Sequence, residues 1–266
     1  MKTIFERNLE ESFKRMEKVQ GTPLLPIQMI QTFFPIKLAE PIAEARAVPN
    51  RKTALVLVGK SGYGKSTYAI NYQKKHPEFT IISMDECAYE DIRAMTNKER
   101  KEYLNKGADR TLEIGNRRFG KKLEEGKPNI IVDGGWLPMN ARGGLLKTLT
   151  ELNYHTIVIC MLAISDEEIV KRTLRRDLNL LAMKLLGEEN IMECIGRDFV
   201  KEYADSRHIT VQEAKKEIRN ESKRKRDIEE VKIAMAFEEI ESMYAEQLEC
   251  GLYFAGADQI VFPTNF

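Results

Sequence analysis

Nine consecutive residues constrain this chain more than any other stretch of it: Gly59-Lys60-Ser61-Gly62-Tyr63-Gly64-Lys65-Ser66-Thr67. They fit the spacing G-x-x-x-x-G-K-[ST], directly after the apolar run TALVLV (53–58) and directly before the helix-forming run STYAINYQKK. Glycines at these positions let successive backbone N–H groups turn inward as an anion-binding nest, and the helix that follows adds the positive end of its dipole. Lys65 is then placed to reach the β- and γ-phosphates of a nucleoside triphosphate, and the Ser66 hydroxyl to ligate Mg²⁺. All nine residues, Gly59 to Thr67, are therefore expected to line a nucleotide site. The plainer reading of the same residues is a glycine-rich turn with an exposed lysine.

Around this loop the chain alternates short apolar runs with amphipathic helices, as a parallel sheet with crossover helices does. Strands are expected at 53–58, 79–83, 129–133, 156–162 and 259–262, which makes a five-stranded parallel sheet flanked by helices in an α/β, P-loop fold. Several helix ends are marked. Ser165 with Glu168, and Thr96 with Glu99, have capping-box spacing; Gly126 followed by Pro128 is a stop, and Asn153 suits a left-handed cap. Leu145, Leu146, Leu149 and Leu152 form one apolar stripe.

Two parts stand apart from this alternation. Residues 1–50 read as an appendage: a helix over 6–19 with Phe5, Leu9, Phe13 and Met16 on one face, then a stretch in which five of the nine prolines fall between Pro23 and Pro49 and whose apolar residues favour packing on the main domain. Residues 51–266 read as the main domain, with a helical lid and insertion over about 165–250 before the last strand.

At 266 residues the chain is long enough for one elaborated domain, or a domain with a small second unit. A content of 42% hydrophobic and 31% charged residues excludes wholesale disorder. Forty-two Lys and Arg stand against 41 Asp and Glu, so no overall field calls for a polyanionic or membrane partner. The four cysteines, Cys87, Cys160, Cys194 and Cys250, have neither disulfide-framework nor zinc spacing, and the longest apolar run, 157–164, is far short of a membrane span. A cytoplasmic protein is the expectation.

Phosphoryl transfer needs a carboxylate at the acceptor hydroxyl and another near the metal. Asp85 (IISMDE) and Asp133 (NIIVDGGW) each follow an expected strand, and in an open parallel sheet such strand ends converge on the ligand. Asp85 is the candidate base and Asp133 the candidate metal-shell group; a helix N-cap and a turn residue are their structural alternatives. Glu86 and Asp91 are weaker candidates. Arg172 and Arg176 share a helix face, with Arg175 beside them, and could meet phosphate charge or be a solvated basic face. No guanine-reading motif follows the fourth strand.

Residues 53–177, from GKSGYGKST through SMDE and NIIVDGGW to ISDEEIVKRTLRRD, resemble the P-loop kinases of the polynucleotide-kinase and zeta-toxin type. The resemblance implies an ATP-dependent kinase with Mg²⁺, in which Asp85 activates a substrate hydroxyl and Arg172 and Arg176 bind the ATP phosphates. The acceptor would be a nucleic-acid 5′ end or a nucleotide-sugar-type small molecule. The chain departs from the zeta-type pattern at Asp133-Gly-Gly, where that pattern carries a glutamate motif. The rival reading is a nucleotide-dependent regulatory ATPase that repositions its helical region, 177–250, against a protein partner. Within that region Lys215 to Arg226 hold seven cations and two anions, and 227–250 eight anions and one cation. The basic cluster suits either a phosphate-bearing acceptor or one half of a charge-complementary helical pair. Trp136 could stack on a ligand or pack in the core.

Overall fold

The computed structural model describes residues 2–17, 40–88, 108–135, 139–161, 164–188, 197–221 and 257–261. The Thr96–Glu99 box, Asp91, Trp136, most of the proline-rich stretch and the 222–250 part of the charged region lie outside these residues. Among the described residues six strands form one parallel sheet: β1 (Glu40–Pro41), β2 (Lys52–Val58), β3 (Thr80–Ser83), β4 (Asn129–Asp133), β5 (Tyr154–Cys160) and β6 (Gln259–Val261). Their order across the sheet is β1-β6-β5-β2-β4-β3. The five expected strands are all present, and β1 adds a sixth. It sits on the edge, where Pro41, lacking an N–H, breaks no ladder. The strand expected at 156–162 begins and ends two residues earlier because it pairs with β2 along its whole length, Lys52 with Tyr154 through Val58 with Cys160.

Alternation along the strands assigns the two faces. Ala54, Val56 and Val58 of β2, Ile130 and Val132 of β4, and Val158 of β5 enter one core with α1 (Ile4–Glu17), α3 (Ala108–Glu124) and α4 (Met139–Glu151). Leu55, Leu57, Ile131, Ile157 and Ile159 face the other way, onto α2 (Lys65–Lys75) and the segment around Ala45. These side chains are fully buried, and each valine, leucine and isoleucine among them contributes about 1.5–3 kcal/mol of transfer free energy. Both faces of the sheet are thus covered, as the continuous apolar strands require.

The helix expected at 6–19 is α1, and its buried face matches the expected stripe at Phe5 and Leu9 but not at Phe13, the Met16 side chain lying outside the described ones. Phe5 is fully buried and Leu9 partly so, whereas Phe13 is 45% exposed and Thr3, Glu6, Asn8 and Ser12 are buried instead. A third cluster holds α5 (Asp166–Leu185), α6 (Phe199–Arg207) and α7 (Val211–Glu221) together through Leu178, Ala182, Met183, Phe199, Tyr203 and Ile218. These three helices are the described part of the expected helical insertion, with a core of their own. Among the described residues no helix is long and apolar enough to cross a membrane.

Candidate nucleotide site

β2 delivers the chain to the carboxyl edge of the sheet at Val58, and the nine-residue loop turns there into α2, with Gly64 as its left-handed N-cap (φ 88°). Gly62 takes φ 84°, and a Cβ placed on it would stand 3.3 Å from Ile169 Cγ2, so the loop needs glycine both for its turn and for α5 lying against it. The Lys65 ammonium donates to the carbonyls of Gly59 (2.7 Å) and Lys60 (3.0 Å), which folds the side chain back over the loop where phosphate oxygens would lie.

The Ser66 hydroxyl donates to Asp133 Oδ2 at 2.6 Å. Two residues 67 positions apart meet because β2 and β4 are register neighbours and end at the same edge. Asp133 is 4% exposed. Burial pushes its carboxyl above the ordinary aspartate range; the Ser66 hydrogen bond, the Lys65 charge and the Gly134 N–H oppose that rise, and the Asp85 charge adds to it. Asp85 is therefore within electrostatic reach of Asp133. It lies two residues beyond Ser83, whose register partner is Asp133, and is exposed within the helical stretch 84–88. That stretch is capped by Ser83, whose Oγ accepts from the Glu86 N–H at 3.4 Å. Asp85 is not the cap that its residue type suggested.

α5 begins at Ser165, which accepts from the Glu168 N–H as the capping box requires. Its Ile169 and Thr173 touch Gly62, and at 100° per residue Arg176 falls beside that stripe, with Arg172 next to it and Arg175 farther round. Arg172 Nε donates to Glu168 Oε1 at 2.8 Å, and Arg176 Nε is 3.9 Å from Asp177 Oδ1. Both are exposed pairs, screened by solvent. The loop, Asp85 and Asp133 are thus gathered at one edge, and the arginine helix rests on the loop.

Two features were not anticipated. One is the Ile169–Thr173 contact that seats α5 on the loop. The other is Arg142, 3% exposed in the first turns of α4, whose charge reaches Cys160 at the end of β5; burial pushes that thiol up to about 11 and Arg142 acts against the rise. The available signal for Arg142 was its position three residues ahead of Leu145, on the apolar stripe of α4. An open groove of about 490 Å³ lined by Val48, Asn50, Lys52 and Pro128 lies at the amino ends of β2 and β4, the wrong end of the sheet for this chemistry.

Sequence comparison decides the family. A family described as AAA domain matches residues 55–197, more than half of the chain. The chain belongs to the AAA domain family. The match runs from inside β2 through the loop, Asp85, Asp133 and all of α5, so every candidate site residue from Gly59 to Arg176 lies within the AAA domain, and α1 lies outside it. Nucleotide binding at the loop is what such a P-loop domain provides. No curated protein matches the chain. Among solved structures, one from a study of the PezAT chromosomal toxin–antitoxin system of Streptococcus pneumoniae aligns with 91% of this chain and 96% of its own. Its identity is 16% and its TM-score 0.38, too distant to carry an activity or a partner over.

Proposed function

We propose that this AAA-domain chain is an ATP-dependent phosphotransferase that moves the γ-phosphate to a hydroxyl acceptor, either a nucleic-acid 5′ end or a nucleotide-sugar-type small molecule. The observation that carries the reading is the Ser66–Asp133 hydrogen bond of 2.6 Å with a second, exposed carboxylate, Asp85, beside it at the end of the neighbouring strand. One carboxylate suffices to bind a nucleotide; the second, solvent-facing one gives an acceptor hydroxyl a base. The resemblance of residues 53–177 to P-loop kinases supports the same roles.

Ser66 and Asp133 are the residues that would hold Mg²⁺. They fit it, being hard oxygen donors at the end of the loop. When bound, the ion neutralises charge developing on the β- and γ-oxygens. Lys65 exchanges its two carbonyl acceptors for phosphate oxygens. Asp85 orients the acceptor hydroxyl and takes its proton as the O–P bond forms and the bond to the β-phosphate oxygen breaks. Arg172 and Arg176 close over the equatorial oxygens.

The test is γ-labelled ATP with RNA and DNA 5′ ends, nucleotide sugars and nucleosides, followed by mass analysis of the product. Label in one acceptor is expected. Release of inorganic phosphate alone favours the regulatory ATPase, a second reading supported by the direct seat of α5 on the loop and by the separate core of α5–α7.

A further inference from the structure

The first turns of α4, MNARGGLLK, contain two adjacent glycines in a helix, a weak choice for a helix standing alone. Their use is seen in α1, which crosses them antiparallel. A Cβ on Gly144 would stand 2.8 Å from Leu9 Cα and 3.0 Å from Leu9 N, and one on Gly143 would stand 3.0 Å from Ser12 Oγ. The two helices meet backbone to backbone. Farther along α4, Asn8 Nδ2 donates to Thr148 Oγ1 at 3.2 Å and Lys147 pairs with Glu11; from α3, Arg117 pairs with buried Glu6 at 3.3 Å and Glu124 accepts the Ile4 N–H at 2.7 Å. Phe5 anchors the amino end, edge-on to Phe119 at 5.0 Å. The polar buried face of α1 is thus partnered: Asn8 meets Thr148, Glu6 meets Arg117, and Ser12 stands against Gly143.

The contact falls at the end of α4 that borders the site. Arg142 immediately precedes Gly143, and α4 starts six residues after Asp133. We propose that Gly143 and Gly144 are positioning residues: through them α1, which lies outside the AAA domain, fixes the first turns of α4, and with them Arg142, at the carboxyl edge of the sheet. The kinetic part of this rests on the phosphotransfer reading above; the structural part does not.

The experiment uses the full chain. Gly144→Ala adds a methyl that the backbone of Leu9 cannot yield to, although helix propensity alone would favour the change. Amide exchange should quicken at least tenfold in both 4–17 and 139–146 and stay unchanged in 59–66. ATP affinity should stay within about threefold while kcat for transfer falls at least tenfold. Gly143→Ala meets only a hydroxyl, so its smaller loss should be restored by adding Ser12→Ala. If Gly144→Ala frees α1 but leaves exchange in 139–146 and kcat at wild-type values, α1 is a passive strut and the proposal is overturned. Unchanged exchange in 4–17 overturns it as well. If the unmodified chain transfers no phosphate, the phosphotransfer reading fails, and the exchange pattern still decides this one.

Discussion

At the scale of single residues, Asp133 carries opposed duties. A carboxylate buried beneath the loop is well placed to meet a cation and poorly placed without one, and its raised pKa measures that conflict. The sign follows from linkage. Below the ordinary aspartate value of 3.8 the group is protonated folded and unfolded, and no penalty exists; as pH rises through the raised folded value the native state must ionise a desolvated group, and stability falls. Asp133→Asn keeps an acceptor for the Ser66 hydroxyl and removes the charge. It should raise the melting temperature of the nucleotide-free protein at neutral pH, by a margin that vanishes in acid, while abolishing Mg²⁺-dependent ATP binding. Differential scanning calorimetry across pH and a binding titration check both halves. These residues were legible in the sequence because the loop has a fixed spacing and strand-end aspartates converge in any parallel sheet. Arg142 was not singled out, because its place on the α4 apolar stripe was its one signal and arginine is seldom fully buried.

At the scale of elements, the helix ends marked at described residues fell where their signals put them: Ser165 caps α5, Asn153 (φ 61°) takes the left-handed conformation expected after α4, and Gly126 (φ 69°) ends α3. Capping chemistry is local, so the local sequence carries it. Two elements escaped. β1 is two residues long, too short for a period, and exists only because β6 offers an edge. α1 hides part of its true face because buried Glu6, Asn8 and Ser12 leave no hydrophobic repeat; Phe5 and Leu9 were read correctly and Phe13 was not. Its anchoring is measurable. Phe5→Ala removes a fully buried ring from the sheet core and should cost about 3–5 kcal/mol in urea unfolding. On the other face of the site, Ile169→Ala withdraws the side chain that touches Gly62. It should loosen the seat of α5 and slow transfer more than it weakens ATP binding, a split visible in kcat against KM.

At the scale of the whole molecule, the nearly equal 42 cations and 41 anions conceal a division of labour. A lysine at the loop and arginines on α5 gather at the carboxyl edge, and the AAA domain supplies the frame that brings them there. The helices α5–α7 form a small core beside the large one, so their amides should exchange at a lower free energy than those of β2 and β5. The acceptor is read at this scale too. A nucleic-acid end predicts binding that falls steeply with salt and weakens when Lys223 to Arg226 are neutralised; salt-insensitive binding assigns a small molecule. The central claim, that one edge of this sheet both holds ATP and deprotonates an acceptor, has one most direct test: Asp85→Asn assayed with γ-labelled ATP against the acceptor that the unmodified chain labels. The account predicts ATP affinity within a few-fold of the unmodified chain and transfer reduced by at least 10²-fold, the range for loss of a general base. Transfer at the unmodified rate would contradict it.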